Sequence, residues 1–313
     1  MKYDFVFFHH PCIDGLLSYT LLLKAGLLHE NHQIRPSAPD FYLGKNLAEV
    51  IKNKNIILVD LNLKYTVLKD IIQKSNKVLF IDHHQNNFEN NLQHEKLEIF
   101  HTKDKCSSKI VFETFFLSVF KKKKKSKIPC IIELVNDIDL KLNTLKESPY
   151  FSAACQVYFN NNITNLNKEV IQSKCNHLFE LYSNNKQRKE FIKEGEAFNK
   201  YKHSIIKQSL NNFEKIDIVH SIKKKKVKLL VCNQSGLMAK FLANHFQAFS
   251  DIDIAIVWYY NISLKGITCI VRSHEDITWL VRQYGGGGLE KAGTFNMKGF
   301  KSIYEFIDLH NSK

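Results

Sequence analysis

The stretch Val78-Leu79-Phe80-Ile81-Asp82-His83-His84 constrains this chain more than any other. Four consecutive apolar residues, two of them β-branched, read as a strand buried on both faces. An acid and two histidines follow at its C-terminal edge, which is where open α/β sheets bind ligands. Carboxylate oxygen and imidazole nitrogen are also donors that divalent cations take. Alone, Asp-His-His is equally a strand running into a polar loop. Its meaning therefore depends on what the rest of the chain supplies.

The preceding pattern supplies a sheet. Residues 3–8 read as a first strand, followed by the loop His9-His10-Pro11-Cys12-Ile13-Asp14-Gly15. Leu16 to Leu28 reads as a helix, with Leu17, Leu21 and Leu28 at helical spacing. Asn55 to Val59 is an apolar strand ending at Asp60, and Leu68 to Ser75 is a short amphipathic helix. Cys106 to Phe120 reads as a helix, and Ile131 to Val135 leads into Asn136-Asp137-Ile138-Asp139. Strands alternating with helices predict an α/β, doubly wound, mostly parallel sheet.

From about Asn184 to Phe213 the chain is polar and helix-compatible, which predicts a linker helix. The pattern then restarts. Strands are expected at Ile216–Ile222, Val227–Cys232, Ile252–Tyr260 and Ile267–Val271, and helices at Gly236–Phe249 and Ile277–Tyr284. The expected organisation is a domain over 1–185, a linker helix over 186–213 and a smaller α/β domain over 214–313, with a cleft between the two domains.

Hydrophobic content is 44% and charged content 24% over 313 residues, an ordinary globular balance. No apolar run approaches the about 18 residues that a membrane span needs. The start, Met1-Lys2-Tyr3-Asp4, does not read as a secretory signal. Seven cysteines stand singly with no CxxC pair, so neither a disulfide framework nor a zinc knuckle is expected. A reduced, cytoplasmic setting follows. The net charge of +14 favours anionic partners such as nucleotides, phosphorylated substrates or single-stranded nucleic acid. Part of it is clumped in Lys121–Lys125 and Lys223–Lys226, which read first as solvated loops.

Acids or histidines stand at four expected strand ends: His9 with Asp14, Asp60, Asp82-His83-His84, and Asp137 with Asp139. Buried acids that face each other repel unless a cation lies between them. Two divalent ions about 3.5–4 Å apart, bridged by a carboxylate, would meet that need, polarise a phosphoryl oxygen and acidify a water.

These motifs resemble the DHH phosphoesterase superfamily, which includes RecJ-type exonucleases, oligoribonucleases with pAp phosphatase activity, cyclic-dinucleotide phosphodiesterases and family II pyrophosphatases. The resemblance covers nearly the whole chain. It is carried by His9-His10-Pro11-Cys12-Ile13-Asp14-Gly15, closest to the H-x-x-C-x-D-G branch, by Asp60, by Asp82-His83-His84 and by the acid of Asn136-Asp137-Ile138-Asp139-Leu140. Further along, Arg272-Ser273 after a strand, then Gly285-Gly286-Gly287-Gly288, resembles the family's associated domain.

The resemblance implies a two-metal phosphoesterase of short oligonucleotides or small phosphorylated nucleotides. It implies that His9 and Asp60 hold one metal and that Asp14, Asp60, His83 and Asp137 hold the other. Asp60, Asp82, His83 and His84 then form the candidate catalytic set, with His84 at the phosphoryl group and Asp82 orienting its neighbours. Arg272, with Ser273, would grip a substrate anion, and the backbone of Gly286, Gly287 and Gly288 would approach it closely. The implied ions are two Mn2+, with Co2+ or Zn2+ as alternatives.

Two departures bear on this. Cys12 stands where many relatives have an aspartate: it is either a softer ligand or a small buried residue. Gly288 stands where relatives commonly carry a substrate-contacting histidine. His10 is an alternative ligand to His9. Asp139 reads as a supporting or capping acid, His274 as an exposed loop residue, and Trp258, Tyr259 and Tyr260 as strand residues of the core. A catalytically altered binder of nucleic acid, or a scaffold, is the competing reading, and a homodimer is open.

Overall fold

The computed structural model describes residues 1–38, 43–84, 93–117, 128–159, 167–209, 211–219, 226–246 and 249–311. The lysine run Lys121–Lys125, Lys223 to Lys225 and Asn160–Asn162 lie outside them. The chain forms two compact units, Met1–Asn199 and Lys200–Lys313.

The first unit is built on a five-stranded sheet, β1 (Tyr3–His9), β2 (Leu28–Ser37), β3 (Asn55–Val59), β4 (Lys77–Asp82) and β5 (Leu97–His101). Its order is β2-β1-β3-β4-β5, and every pairing is parallel. Strand alternation divides the apolar runs cleanly between two layers. Val6, Phe8, Ile57, Val59, Leu79 and Ile81 join one core, with Leu17 and Leu21 of α1 (Ile13–Lys24). Phe5, Phe7, Ile56, Leu58, Val78 and Phe80 join the other, with Leu68, Ile71 and Ile72 of α3 (Tyr65–Lys74). α2 (Lys45–Val50) packs on this second face through Leu47 and Ala48. Helices on both faces make the sheet doubly wound, and each fully buried apolar side chain contributes on the order of 2 kcal/mol.

Four features differ from the expectation. α1 stops at Lys24 because Gly26, at φ +70°, ends it in the left-handed conformation, so Leu28 opens β2 instead of closing a helix. β2 and β5 have no clear sequence signal because they are the edge strands and carry mixed polar residues. Helix α4 runs over Ser107–Phe115, and α5 covers Cys130–Asp139, so Asp137 and Asp139 lie in a helix rather than at a strand end. A short apolar run such as Ile131–Val135 fits either state by periodicity alone. Finally, the expected linker is part of a 25-residue helix, Asn185–Ser209, within which the division between units falls. Phe191 and Ile192 belong to a core of the first unit and Ile206 to one of the second.

The second unit is a six-stranded mixed sheet in the order β10-β11-β9-β8-β7-β6. Its strands are β6 (Phe213–Val219), β7 (Lys226–Asn233), β8 (Ile254–Asn261), β9 (Gly266–Ser273), β10 (Gly287–Leu289) and β11 (Ala292–Lys298). Helix Gly236–Phe246 covers one face through Leu242 and Phe246. Helices Thr278–Gln283 and Ile303–Asn311 cover the other through Leu280, Ile303 and Phe306. No helix among the described residues is long and apolar enough to cross a membrane.

Candidate metal centre

The strand order of the first sheet reverses at β1. The chain leaves β1 to form β2 on one side and returns to form β3 on the other. The loops after β1 and β3 therefore diverge, which opens a crevice at their C-terminal ends. His9 is the last residue of β1, Asp60 follows β3 directly, and Asp82-His83-His84 begins at the end of the neighbouring β4.

Asp60 lies at the middle of this edge. It is fully buried, its backbone sits at φ +59°, and its N–H donates to the carbonyl of Ile81 at 3.0 Å. A non-glycine residue in this left-handed region is strained, and such strain collects at functional positions. The two oxygens of its carboxylate face different histidines: Oδ2 lies 3.3 Å from His9 Nδ1, and Oδ1 lies 3.3 Å from His83 Nε2. His83 Nε2 also lies 2.9 Å from Asp139 Oδ2. Nδ1 of His84 bonds Asp82 Oδ1 at 2.8 Å, and Asp82 is fully buried.

Asp14 enters from the first turn of α1. Its carboxylate accepts the backbone N–H groups of Ser107 (2.7 Å) and Ser108 (2.8 Å), at the N-terminus of α4. That end of α4 is tied to α5 in turn, where Asn136 Oδ1 accepts the N–H of Cys106 at 2.9 Å. The free amides of a helix N-terminus suit an anion. Even so, burial and the neighbouring Asp60 and Asp139 push the Asp14 carboxyl up to about 8. Burial also opposes charge on Asp60 and His83. Their mutual contacts, with His9 and Asp139, outweigh it, lowering Asp60 to about 2 and raising His83 well above the usual imidazole range. Burial likewise opposes charge on His84, but Asp82 raises its pKa overall.

Three sets of donor atoms each lie within 4.8 Å of one another: His9, Cys12 and Asp60; Asp14, His83 and Asp139; and Asp60, Asp82, His83 and His84. Asp60 Oδ2, His83 Nε2 and Asp139 Oδ2 are buried yet lack aligned hydrogen bonds within the described residues. Their close approaches have ion-pair distance without hydrogen-bond geometry. Orphaned oxygen and nitrogen atoms converging on one spot fit divalent cations, which prefer these donors.

Of the supporting and capping roles expected for Asp139, the structure favours a place at the cluster: it is the acid of the fourth motif that reaches His83. Asp137 is not at the cluster. Its Oδ1 accepts the N–H of Thr144 at 2.8 Å and also the Thr144 hydroxyl. Residues two apart on a helix point about 200° apart, so only one of the pair can face a given site. His10 does not join any donor set. Its ring is buried, and both ring nitrogens lack a hydrogen bond among the described residues.

Other assigned residues lie in the second unit. Arg272 is half-buried, with Nε donating to Asn244 Oδ1 at 2.6 Å and Nη1 to the carbonyl of Val271 at 2.7 Å. Ser273 donates its hydroxyl to the carbonyl of Asp253 at 2.8 Å. Gly286 and Gly288 have a packing explanation in their hairpin, where Gly287 and Gly288 belong to β10, which pairs with β11, while a Cβ on Gly287 would meet nothing within 4 Å. A Cβ on Gly286 would meet Thr294 O at 2.3 Å, and one on Gly288, at φ +150°, would meet Ala292 O at 2.2 Å. His274 is exposed, while Trp258 packs against the core.

Sequence reasoning overlooked Ser107, Ser108 and His101. The two serines carry a signal, since Cys-Ser-Ser before an apolar periodic run marks a helix start. His101, at the end of β5, bonds the carbonyl of His84 through Nε2 at 2.7 Å. It carried none, because its edge strand was not expected.

An α/β domain with acids and histidines gathered at the switch point of a parallel sheet forms a candidate metal centre. Residues 5–136 match the DHH family, N-terminal domain, and the first unit of this chain is a DHH-family domain. Among curated proteins, the chain is 22% identical over 318 residues to the uncharacterized protein R106 of Acanthamoeba polyphaga mimivirus, covering 97% of this chain and 69% of that protein. Among solved structures, it is similar to the pGpG-specific phosphodiesterase PggH of Vibrio cholerae, at 16% identity and TM-score 0.54, covering 98% of this chain and 97% of that one. An exopolyphosphatase-related protein of Bacteroides fragilis matches at 13% identity and TM-score 0.47, over 98% and 90% of the two chains.

Proposed function

We propose that this protein is a divalent-metal-dependent phosphoesterase, acting on phosphoester bonds of short oligonucleotides or small phosphorylated nucleotides. The observation that carries this reading is the Asp60 carboxylate, whose two oxygens face His9 and His83 separately. Such a carboxylate would suit a position shared by two cations. A solved protein of the same fold is named for cleaving the phosphodiester of pGpG, which fits that bond class. The +14 charge suits an anionic substrate.

His9, Cys12 and Asp60 would hold one ion, and Asp14, Asp60, His83 and Asp139 the other. Mn2+ is the proposed ion for an oxygen-rich set, and Co2+ or Zn2+ fit the same donor types. When bound, such ions supply electrophilic polarisation of a phosphoryl group and acidify water. The remaining work falls to the side chains. Asp82 fixes the His84 ring through Nδ1 and favours its protonated form, so that His84 can donate to a phosphoryl oxygen as charge develops there. The amides of Ser107 and Ser108 hold the Asp14 carboxylate in one orientation. Arg272 is the proposed grip for a substrate phosphate, a role its planar guanidinium suits.

The test is direct. Purified protein with Mn2+ should cleave at least one of a dinucleotide, pAp and a nitrophenyl phosphodiester. Asp60→Ala should abolish turnover while the circular dichroism spectrum stays near wild type. A chain that cleaves none of these with Mn2+, Co2+ or Zn2+ is not this enzyme.

A further inference from the structure

We propose that the two donor groups on either side of Asp60 take different cations. The group of His9, Cys12 and Asp60 selects a thiophilic ion of the zinc type, and the group of Asp14, His83 and Asp139 takes a harder ion of the manganese type. This rests on reading the cluster as a cation centre and not on any substrate.

Donor chemistry separates the groups. The first offers one nitrogen, one sulfur and one oxygen, and the second one nitrogen and two carboxylate oxygens, each set within 4.8 Å. Thiolate is a soft ligand that favours zinc over manganese, while carboxylates suit manganese.

The placement of Cys12 distinguishes it from five of the other cysteines, and the sixth, Cys130, is exposed. Cys106, Cys155 and Cys175 join an apolar core of the first unit, and Cys232 and Cys269 join cores of the second. Cys12 joins none of these clusters. It stands at the N-terminus of α1 without making a side-chain capping bond there. Its sulfur lies 3.9 Å from Asp139 Oδ1 and also meets the backbone N–H of Gly15. Cys12 borders Ile13, Cys155 and Phe159 on one side, but Asp14, Asp60 and Asp139 lie close enough to act on its thiol. The second mark of a ligand site is Asp60 Oδ2, which is buried, lacks a hydrogen bond in the described chain and points at His9. On binding, the S–H bond breaks, a sulfur–metal bond forms and the proton leaves to solvent, with no electron transferred.

The full-length protein, stripped with chelator and refilled from an equimolar mixture of Zn2+ and Mn2+, should retain one of each by mass spectrometry. Co2+ added to stripped protein should give a near-ultraviolet thiolate-to-cobalt band that Cys12→Ser abolishes. Cys12→Asp should weaken zinc binding about tenfold or more and take up a second manganese instead. Because a variant could fold poorly, alkylation offers a test on the unmodified chain: Zn2+, but not Mn2+, should protect Cys12 from iodoacetamide. Zinc that leaves Cys12 alkylatable, absence of the cobalt band, or retention of two manganese ions from the mixture overturns the proposal. Turnover with two manganese ions would overturn it and leave the phosphoesterase reading standing. A mixed pair of ions in a chain that cleaves nothing would do the reverse.

Discussion

Asp139 Oδ2 lies 2.9 Å from His83 Nε2, while Asp137, in the same helix, is held by Thr144. The two acids therefore predict opposite phenotypes. Asp139→Asn should lower metal affinity by about 10- to 100-fold with little change in folding. Asp137→Ala should leave metal content intact and cost about 1–3 kcal/mol of stability, because the Thr144 N–H loses its acceptor. Calorimetric metal titration paired with urea denaturation separates them.

His101 holds the backbone of His84 in place, through a 2.7 Å bond from Nε2 to the His84 carbonyl. His101→Ala should lower kcat about tenfold with KM nearly unchanged, since the His84 ring, proposed to meet the phosphoryl group, loses its anchor. His101→Asn, which keeps a donor, should recover part of the loss. Steady-state kinetics on a nitrophenyl phosphodiester reads both. A loss confined to KM, or no recovery in the asparagine variant, contradicts a positioning role.

Much of this arrangement is written in local pattern. The runs Phe5–Phe8, Ile56–Val59 and Val78–Ile81 announce β1, β3 and β4, because central parallel strands bury both faces and need apolar residues throughout. The positions of His9, Asp60 and Asp82-His83-His84 at the ends of those runs follow from the same reading. What the sequence concealed is long-range or phase-dependent. β2 and β5 are edge strands whose polar residues hide them. Asp137 and Asp139 are indistinguishable until the segment is known to be helical, because the choice depends on which side of α5 faces the crevice. Gly286 and Gly288 invite an anion-binding reading, but their freedom from a Cβ is already used by the close approach of β11.

The protons of the centre predict a pH dependence. Burial with Asp60 and Asp139 raises Asp14 from its ordinary range to about 8. A group whose folded pKa is raised favours folding below its unfolded pKa and loses that advantage as pH climbs through the folded value. Cation-free protein should therefore lose stability between about pH 4 and pH 8 from this group. His83, also raised, acts in the same direction above its unfolded value. A bound cation replaces those protons, so Mn2+ or Zn2+ should flatten the decline and bind more tightly as pH rises. Thermal melts across pH, with chelator and with metal, check the sign. A chelated protein that gains stability from pH 5 to 8 would contradict it.

Arg272 has Nε and Nη1 engaged by Asn244 and Val271, which fixes the guanidinium in place. Arg272→Lys keeps the charge but not the planar fork, so it should raise KM for a phosphorylated dinucleotide about tenfold or more. A substrate without a second phosphate should be much less affected. Equal losses on both substrates would remove the arginine from substrate binding.

The most direct measurement is anomalous diffraction from crystals grown with Mn2+ and Zn2+. Two peaks should appear, one beside each oxygen of Asp60, the first near His9 and the second near His83. Crystals in which no ion lies within bonding distance of Asp60, under conditions where the chain is folded and unchelated, would show that these side chains gather for some reason other than binding cations.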